Sequence, residues 1–151
     1  MEPEIQRIFH FNINCTNLER TLAFYELLGF KVIMDFREGM KSQEMADAFG
    51  LPVADVKGVH LRIGDHEEAT RIDLLEFVAP LPQGKPYAAL NYTGVARVCL
   101  KTKGIWQVYE NLKKKGVKFL SEPKKLPGTE VTIVCFKDPD GTFLELLDGD
   151  F

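Results

Sequence analysis

Apolar and polar residues alternate near the start of the chain, over residues 8–14, and this period of two predicts a half-buried strand. Apolar residues then recur at helical spacing over residues 18–28. A T-x-x-E capping box at residues 16–19 predicts the start of this helix, and Gly29 predicts its end. Residues 30–33 follow as a second strand. The first part of the chain is therefore predicted to run strand, helix, strand.

The same order returns in the second half of the chain. Residues 95–100 predict a strand, Ile105 begins a helix with apolar residues at helical spacing, and Gly116 ends it. Gly29 and Gly116 lie 116 − 29 = 87 positions apart, and a short predicted strand follows each of them. A unit repeated at a fixed offset indicates a fold built from two copies of one module.

Two further strands complete each module. They are predicted at residues 59–63 and 72–78 in the first copy, and at residues 130–136 and 142–147 in the second. An Asp-Pro-Asp-Gly sequence, typical of a tight turn, joins the last two strands. The predicted fold class is therefore α+β, with two βαβββ modules.

The module boundaries follow from these elements. Module one is predicted at residues 5–79 and module two at residues 93–150, with a proline-rich linker at residues 80–92, all within a single domain of residues 1–151. Module one also carries an insertion, at about residues 38–57, which contains a short predicted helix. Insertions between strands commonly cover a binding site, and we expect this one to do so.

Composition and charge limit the functions that the chain can have. Hydrophobic residues make up 45% and charged residues 27% of the chain, as in folded globular proteins. A net charge of -3 provides no basic field for nucleic acid, and the basic run at residues 113–115 suits a helix end. No segment approaches the roughly 20 apolar residues of a membrane-spanning helix. We therefore expect a soluble, cytoplasmic protein without nucleic-acid or membrane partners.

The three cysteines are widely spaced along the chain. An odd number without a C-x-x-C motif favours reduced thiols in or beside the core over disulfides or a thiolate metal site. Cys99 lies two residues after Arg97 on a predicted strand, so these two side chains are expected to share a face. Cys15 and Cys135 are expected to be structural.

Two segments resemble a known family. The first is His-Phe-Asn-Ile-Asn-Cys-Thr-Asn-Leu running into Ala-Phe-Tyr-Glu-Leu-Leu-Gly, within residues 10–29, and the second is Asp-Pro-Asp-Gly-Thr-Phe-Leu-Glu-Leu at residues 138–146. Together with the internal repeat, they resemble the vicinal oxygen chelate superfamily of glyoxalases, bleomycin resistance proteins and extradiol dioxygenases. The pattern is nearest to glyoxalase I and methylmalonyl-CoA epimerase. The resemblance implies mixed sheets curled around a shared pocket, a small-molecule ligand and a homodimer.

The resemblance also implies a set of site residues. Members of the superfamily hold a divalent metal from the first and the last strand of each module. The matching residues are His10 and Glu76 in module one, and Arg97 and Glu145 in module two. We take these four as the candidate catalytic residues. Arg97 cannot be a metal ligand, because a guanidinium has a fixed positive charge and no lone pair to donate.

Two models of this site remain open. In the first, Arg97 replaces the metal and bridges Glu76 and Glu145, whose carboxylates would otherwise repel each other. In the second, His10, Glu76 and Glu145 hold a divalent metal with the ligand count of an open zinc site, and Arg97 anchors the substrate. No cofactor is assigned, and a divalent metal is left open.

Four further residues are candidates for substrate binding. Strand alternation places Asn12 and Asn14 on the same face as His10, and an ordinary core strand would not direct three polar residues inward. The alternative is that this polar face is exposed to solvent. His60 lies in an apolar strand, and Phe143 lies two residues before the acidic residue of the last strand, so both are predicted to line the pocket.

The candidate residues predict a lyase or isomerase of the glyoxalase or epimerase type. Glu76 or Glu145 would take a proton next to a carbonyl, and Arg97 or a metal would stabilise the enolate oxygen. The alternative is a non-catalytic protein that binds a drug or an aromatic metabolite, similar to the bleomycin resistance proteins. An extradiol dioxygenase is less favoured, because one of its two metal-binding histidines is missing.

Overall fold

The computed structural model describes residues 1–151 and divides the chain into two compact units, Met1–Gln83 and Gly84–Phe151. Each unit contains one of the predicted modules, and each has its own mixed sheet. The boundary between the units falls within the predicted linker at residues 80–92. The inclusion of both units in one domain stays a prediction.

Module one consists of a four-stranded sheet and two helices. Its elements, in chain order, are β1 (His10–Asn14), α1 (Leu18–Leu27), β2 (Lys31–Lys41), α2 (Gln43–Phe49), β3 (Asp55–Arg62) and β4 (Arg71–Ala79). The strands lie in the order β1-β4-β3-β2. β1 is parallel to β4, and the other neighbours are antiparallel.

Module two repeats this arrangement without a second helix. Its elements are β5 (Val98–Thr102), α3 (Ile105–Lys114), β6 (Lys118–Phe119), β7 (Lys124–Lys125), β8 (Thr132–Lys137) and β9 (Phe143–Asp148). The strands lie in the order β5-β9-β8-β6, with β5 parallel to β9, and β7 pairs with β8. The α+β class and the βαβββ order of each module are confirmed, whereas the sequence pattern does not predict β7.

The insertion of module one begins inside a strand. β2 continues to Lys41, beyond the predicted start of the insertion, and the predicted short helix is α2. Ser42 caps the start of α2 by accepting a hydrogen bond from the backbone of Met45. Gly50 ends α2 with a φ of 66°, a left-handed conformation that glycine adopts without steric cost. No helix of the chain is long and apolar enough to span a bilayer.

An acidic side chain from the last strand of each module binds the start of that module's first helix. In module one, the Glu76 carboxylate accepts a hydrogen bond from the backbone N–H of Leu18, at 2.6 Å. In module two, the Asp148 carboxylate accepts from the backbone N–H groups of Gly104 and Ile105, at 2.8 and 3.0 Å. These interactions pair orphan N–H groups at the positive end of a helix with a negative charge.

The position of Glu76 corrects the expectation that it faces the same side of the sheet as His10. Residues alternate between the two faces of a strand, so Glu76 shares a face with Leu74, which is fully buried, and α1 packs against β4. Lys57 also lies 3.5 Å from the Glu76 carboxylate. The helix cap itself is Asn17, which accepts from the backbone of Arg20, so the predicted capping box lies one residue too early.

We expect Glu76→Ala to lower the free energy of unfolding by about 1–2 kcal/mol, because it leaves a helix-terminal N–H of α1 without its acceptor. Urea denaturation of the purified chain measures this change. Glu26→Ala is the matched control, since Glu26 is an exposed acid on the same helix and its removal should change stability by less than about 0.5 kcal/mol. Equal stability of the two variants would contradict the capping role.

Candidate functional site

The register of the strands shows that both modules bring the same four positions together. In module one, the residues opposite Asp73 are Asn12 on β1 and His60 on β3. In module two, the residues opposite Glu145 are Cys99 on β5 and Cys135 on β8. The equivalent pairs are His10 and Arg97, Asn12 and Cys99, His60 and Cys135, and Asp73 and Glu145.

The module-one cluster consists of His10, His60 and Asp73. The two carboxylate oxygens of Asp73 lie 3.6 Å from His10 Nε2 and 3.5 Å from His60 Nε2. Asp73 is only 9% exposed, and its Oδ1 atom has no hydrogen-bond partner. The rings of Phe9 and Phe36 pack against His60, with centroids 6.3 and 6.0 Å away. The cluster therefore holds a nearly buried acid that its neighbours leave partly unsatisfied.

Burial shifts the pKa values of Asp73 and His60. Burial raises the pKa of Asp73, and the neighbouring His60 and His10 partly oppose that shift. Burial also lowers the pKa of His60 from 6.5, against the opposing influence of Asp73. The guanidinium of Arg71 lies 3.4 Å from His60 Nδ1 and acts in the same direction as burial. At neutral pH, His60 is therefore a neutral imidazole.

A cavity of about 290 Å³ lies beside the cluster, a size that suits a small molecule. Its lining includes both polar and apolar side chains. The polar lining is His10, Asn12, Asn14 and Asp73, and the apolar lining is Phe49, Leu51, Leu75 and Phe77. Phe49 and Leu51 come from the insertion, so the insertion contributes to the walls of this cavity. Asn12 and Asn14 face the cavity, and the Asn12 amide also donates to the backbone carbonyl of Asp73, at 3.1 Å.

The module-two cluster is an ion pair with two thiols. The Arg97 guanidinium donates to the Glu145 carboxylate, whose residue is only 4% exposed. The sulfur atoms of Cys99 and Cys135 lie 3.5 and 3.9 Å from the same carboxylate. Arg97 and Cys99 thus share a face, as the sequence predicts, and both contact Glu145.

The two thiols are poor nucleophiles. Desolvation and then the adjacent Glu145 carboxylate raise the pKa of Cys99 to about 11. Desolvation, followed by the same carboxylate, also raises the pKa of Cys135. The thiolate is the reactive form of cysteine, so both side chains are protonated and unreactive near neutral pH. No disulfide links them.

The structure separates the four candidate catalytic residues by environment. His10 lies in the module-one cluster, Arg97 and Glu145 form the module-two ion pair, and Glu76 binds the start of α1. Within module one, the Glu76 carboxylate is bound to the start of α1, and its bridging by Arg97 stays a prediction. Asp73, rather than Glu76, is the acid that the register places beside His10.

The neighbouring residues do not separate Asp73 from Glu76. Asp73 stands between Ile72 and Leu74, and Glu76 stands between Leu75 and Phe77. Among the candidate substrate-binding residues, Asn12 and Asn14 line the cavity and His60 contacts the cluster. Phe143 is buried, at 3% exposure, with the Lys137 ammonium 5.2 Å above its ring. The substrate-binding roles of these residues stay predictions.

The metal that the superfamily resemblance implies does not fit module two. Its two positions there hold Arg97, which has no lone pair, and Glu145, whose carboxylate is occupied by that guanidinium. In module one, the corresponding positions hold His10 and Asp73 rather than His10 and Glu76, and both are residues that can bind a metal.

We expect Arg97→Ala to lower the free energy of unfolding by about 1–2 kcal/mol, because the buried Glu145 carboxylate loses its cationic partner. The effect should be smaller than for a fully buried ion pair, since the Arg97 side chain is 45% exposed. Urea denaturation measures it. Glu145→Gln has no buried charge to neutralise. Adding Arg97→Ala to that variant should therefore lower the free energy of unfolding much less than it does in the unaltered chain. An unchanged stability of the single variant would exclude the ion pair.

Comparison with known proteins agrees with this fold. Residues 7–146 match the model of the Glyoxalase/Bleomycin resistance protein/Dioxygenase superfamily. No curated protein matches the chain. Among solved structures, a glyoxalase family protein from Bacillus cereus is similar with a TM-score of 0.86 and 18% identity, over 97% of this chain and 96% of the other.

Two further structures are similar at lower TM-scores. The trypanothione-dependent glyoxalase I of Leishmania major has a TM-score of 0.67 and 20% identity, over 95% of this chain and 87% of its own. A glyoxalase family protein from Enterococcus faecalis has a TM-score of 0.67 and 22% identity, over 94% and 97% of the two chains. Identities this low show the fold, and the family match covers nearly the whole sequence. The chain belongs to the glyoxalase, bleomycin resistance protein and dioxygenase superfamily.

Proposed function

We propose that the chain is a small-molecule lyase or isomerase that moves a proton at a carbon next to a carbonyl, within the module-one cavity. The supporting observation is the Asp73 carboxylate, which is nearly buried, lines the cavity and leaves Oδ1 without a hydrogen-bond partner. Oδ1 has almost no accessible surface and lies against His60, so a bound substrate would give its proton to Oδ2, the carboxylate oxygen beside His10.

The polar lining of the cavity can stabilise the charge that develops on the substrate oxygen. His10 and Asn14 both carry N–H groups and line the cavity beside Asp73. Donors placed in advance at an oxyanion lower the barrier more in a water-poor pocket than they would in water. In this proposal the oxyanion donors lie on β1 and the proton acceptor lies on β4, the strand paired with it.

Module two offers no comparable proton acceptor. Its acid, Glu145, is already paired with Arg97, and its two thiols are protonated near neutral pH. The Glu145 carboxylate already accepts from the Arg97 guanidinium and lies beside both thiols, so its lone pairs are engaged within the cluster. The proposal therefore assigns Asp73 the role of base that the sequence interpretation gave to Glu76 or Glu145.

A second candidate function is ligand binding without turnover, as in a bleomycin-resistance-type protein. The apolar wall of the cavity favours this reading, because Phe49 and Phe77 lie 6.4 Å apart and could pack on an aromatic ligand. A binding protein would need this wall but would have no use for an unsatisfied acid. The two functions therefore differ in their dependence on Asp73.

We expect the protein to catalyse exchange of the carbon-bound proton of a small α-hydroxy ketone, a hemithioacetal or an acyl thioester in D2O, followed by NMR. Asp73→Asn should reduce the exchange rate roughly 10²- to 10⁴-fold, the usual contribution of a positioned general base. Glu76→Gln is the matched control, an acid of the same strand on the opposite face, and should retain exchange.

Binding without exchange would overturn the enzyme assignment. The same NMR samples report binding through ligand line broadening. If a compound of this panel binds equally to the unaltered chain and to Asp73→Asn, while neither exchanges its proton, the binding-protein function replaces the catalytic one. Exchange that persists in Asp73→Asn would show that another residue is the base.

We also propose that the chain forms a homodimer in the cytoplasm. Each sheet ends in strands with unpaired backbone groups, β1 and β2 in module one and β5 and β6 in module two. Exposed sheet edges are commonly covered by a partner, and symmetric dimers are the most frequent assemblies. Sedimentation velocity at micromolar concentration should give a species of twice the chain mass of 17.1 kDa. A species of the single-chain mass would contradict the dimer.

A further inference from the structure

We propose that His60 and Arg71 are positioning residues for proton transfer by Asp73, and that both act through the imidazole of His60. The inference rests on the proposed function and deepens it, because it states what holds the carboxylate with one oxygen toward the cavity. The cavity lining includes Asp73 but neither His60 nor Arg71. A substrate bound in the cavity therefore contacts Asp73 and not these two side chains.

Two side chains of β4 contact the two ring nitrogens of His60. Arg71 and Asp73 are two residues apart on that strand, so they lie on one face of the sheet. The pairing of β3 with β4 places His60 directly opposite Asp73. The Arg71 guanidinium lies 3.4 Å from Nδ1 of His60, and Oδ1 of Asp73 lies 3.5 Å from its Nε2. The imidazole thus lies between a cation and an anion of the same strand.

Arg71 selects the tautomer of His60. A guanidinium only donates hydrogen bonds, so Nδ1 is the acceptor in this contact and the ring proton lies on Nε2. The Nε2–H group then faces Oδ1 of Asp73. A neutral donor can anchor Oδ1 with less loss of basicity than a cation would cause. The other oxygen, Oδ2, remains beside His10, which lines the cavity.

Packing fixes the ring against which the carboxylate is anchored. His60 is only 9% exposed, and the rings of Phe9 and Phe36 lie against it with centroids 6.3 and 6.0 Å away. The Nε2 to Oδ1 contact is at the outer limit of a hydrogen bond, and Oδ1 has no other partner. Hydrogen bonds of catalytic groups commonly tighten when substrate binds. Because the ring is held, a small rotation of the Asp73 carboxylate completes the bond.

Module two has no counterpart of this arrangement. Phe143 stands at the position of Arg71, two residues before the acid of the last strand. Cys135 stands at the position of His60. The guanidinium of Arg97 contacts the acid of module two directly. Module one thus places a neutral imidazole between its guanidinium and its acid, as a base that must remain unpaired requires.

The test is proton exchange in D2O with the panel compound that the unaltered chain exchanges fastest, measured as kcat and KM. His60→Leu should lower kcat on the order of 10- to 100-fold, as misplacement of a reacting group does. It should change KM by less than about twofold, since His60 does not line the cavity. His60→Gln should recover most of the lost kcat, because its amide provides an N–H group for Oδ1.

Arg71→Met tests the second positioning residue, since it keeps a side chain packed on Phe9 and removes the donor groups. It should lower kcat about three- to tenfold, the value of one hydrogen bond, but less than about twofold when added to His60→Leu. Arg7→Met is the matched control. Arg7 lies over the same Phe9 ring, at 5.5 Å, but donates to the backbone of Glu68, so its loss should leave kcat unchanged.

The imidazole also gives a readout that a merely structural role would not fix. Two-bond nitrogen–proton NMR correlations of the isotope-labelled chain assign the tautomer of His60, and we expect the proton on Nε2. Circular dichroism verifies that every variant is folded.

The outcomes separate this inference from the proposed function. Absence of exchange in the unaltered chain would overturn the proposed function and the positioning role together. If the unaltered chain exchanges, a proton on Nδ1 of His60 would overturn the positioning role alone. So would an unchanged kcat in His60→Leu, a His60→Gln variant as slow as His60→Leu, or an equal effect of Arg71→Met in both backgrounds.

Discussion

Burial of one carboxylate on the last strand of each module is the constraint on which the arrangement of both sites depends. The register places Asp73 and Glu145 between two neighbouring strands, where each is less than a tenth exposed. A buried acid must be paired, protonated or hydrogen-bonded. Module two satisfies its acid with a guanidinium from position 97, whereas module one surrounds its acid with two imidazoles and leaves one oxygen unsatisfied. The same backbone thus carries an ion pair with arginine in one copy and a partly unsatisfied acid in the other.

A second acid on each of these strands has a purely structural task. Glu76 and Asp148 lie three residues after Asp73 and Glu145, and an odd separation puts the two acids of a strand on opposite faces. The first acid of each strand faces its cluster, and the second binds the N-terminus of a helix that packs on the other face. A single strand therefore fixes both the helix and the site, so the position of the cluster depends on the same register that holds the fold.

Much of the fold could be predicted from the sequence because its signals are local. The alternation of β1, the helical spacing of α1 and α3 and the glycines after them require no knowledge of distant contacts, and the repeat of these signals indicates two modules. Helix ends are less certain, since Thr16 and Asn17 are both good caps and only the backbone decides between them. The shared face of His10, Asn12 and Asn14 could be predicted for the same reason, because the alternation of a strand is a local signal.

The acid of module one was missed because its position depends on pairing between strands. The first strands of the modules are 97 − 10 = 87 positions apart, but the last strands are 145 − 73 = 72 positions apart, since the insertion lengthens module one. The match to the family pattern therefore selected Glu76, three residues after Asp73, which is the residue that pairs as Glu145 does. The flanking residues give no guide, because Asp73 and Glu76 both stand between two apolar residues, and only the register of β4 against β1 separates them.

The insertion and the charge pattern single out the same module. The residues that lengthen module one also supply Phe49 and Leu51 to its cavity, and this cavity adjoins the acid that no guanidinium neutralises. In module two, the shorter connections accompany an acid that is already paired. An apolar wall raises the cost of an unsatisfied charge and strengthens every polar contact made with it. Both features thus act on Asp73, and they are the physical reason for proposing that the site lies in the first module.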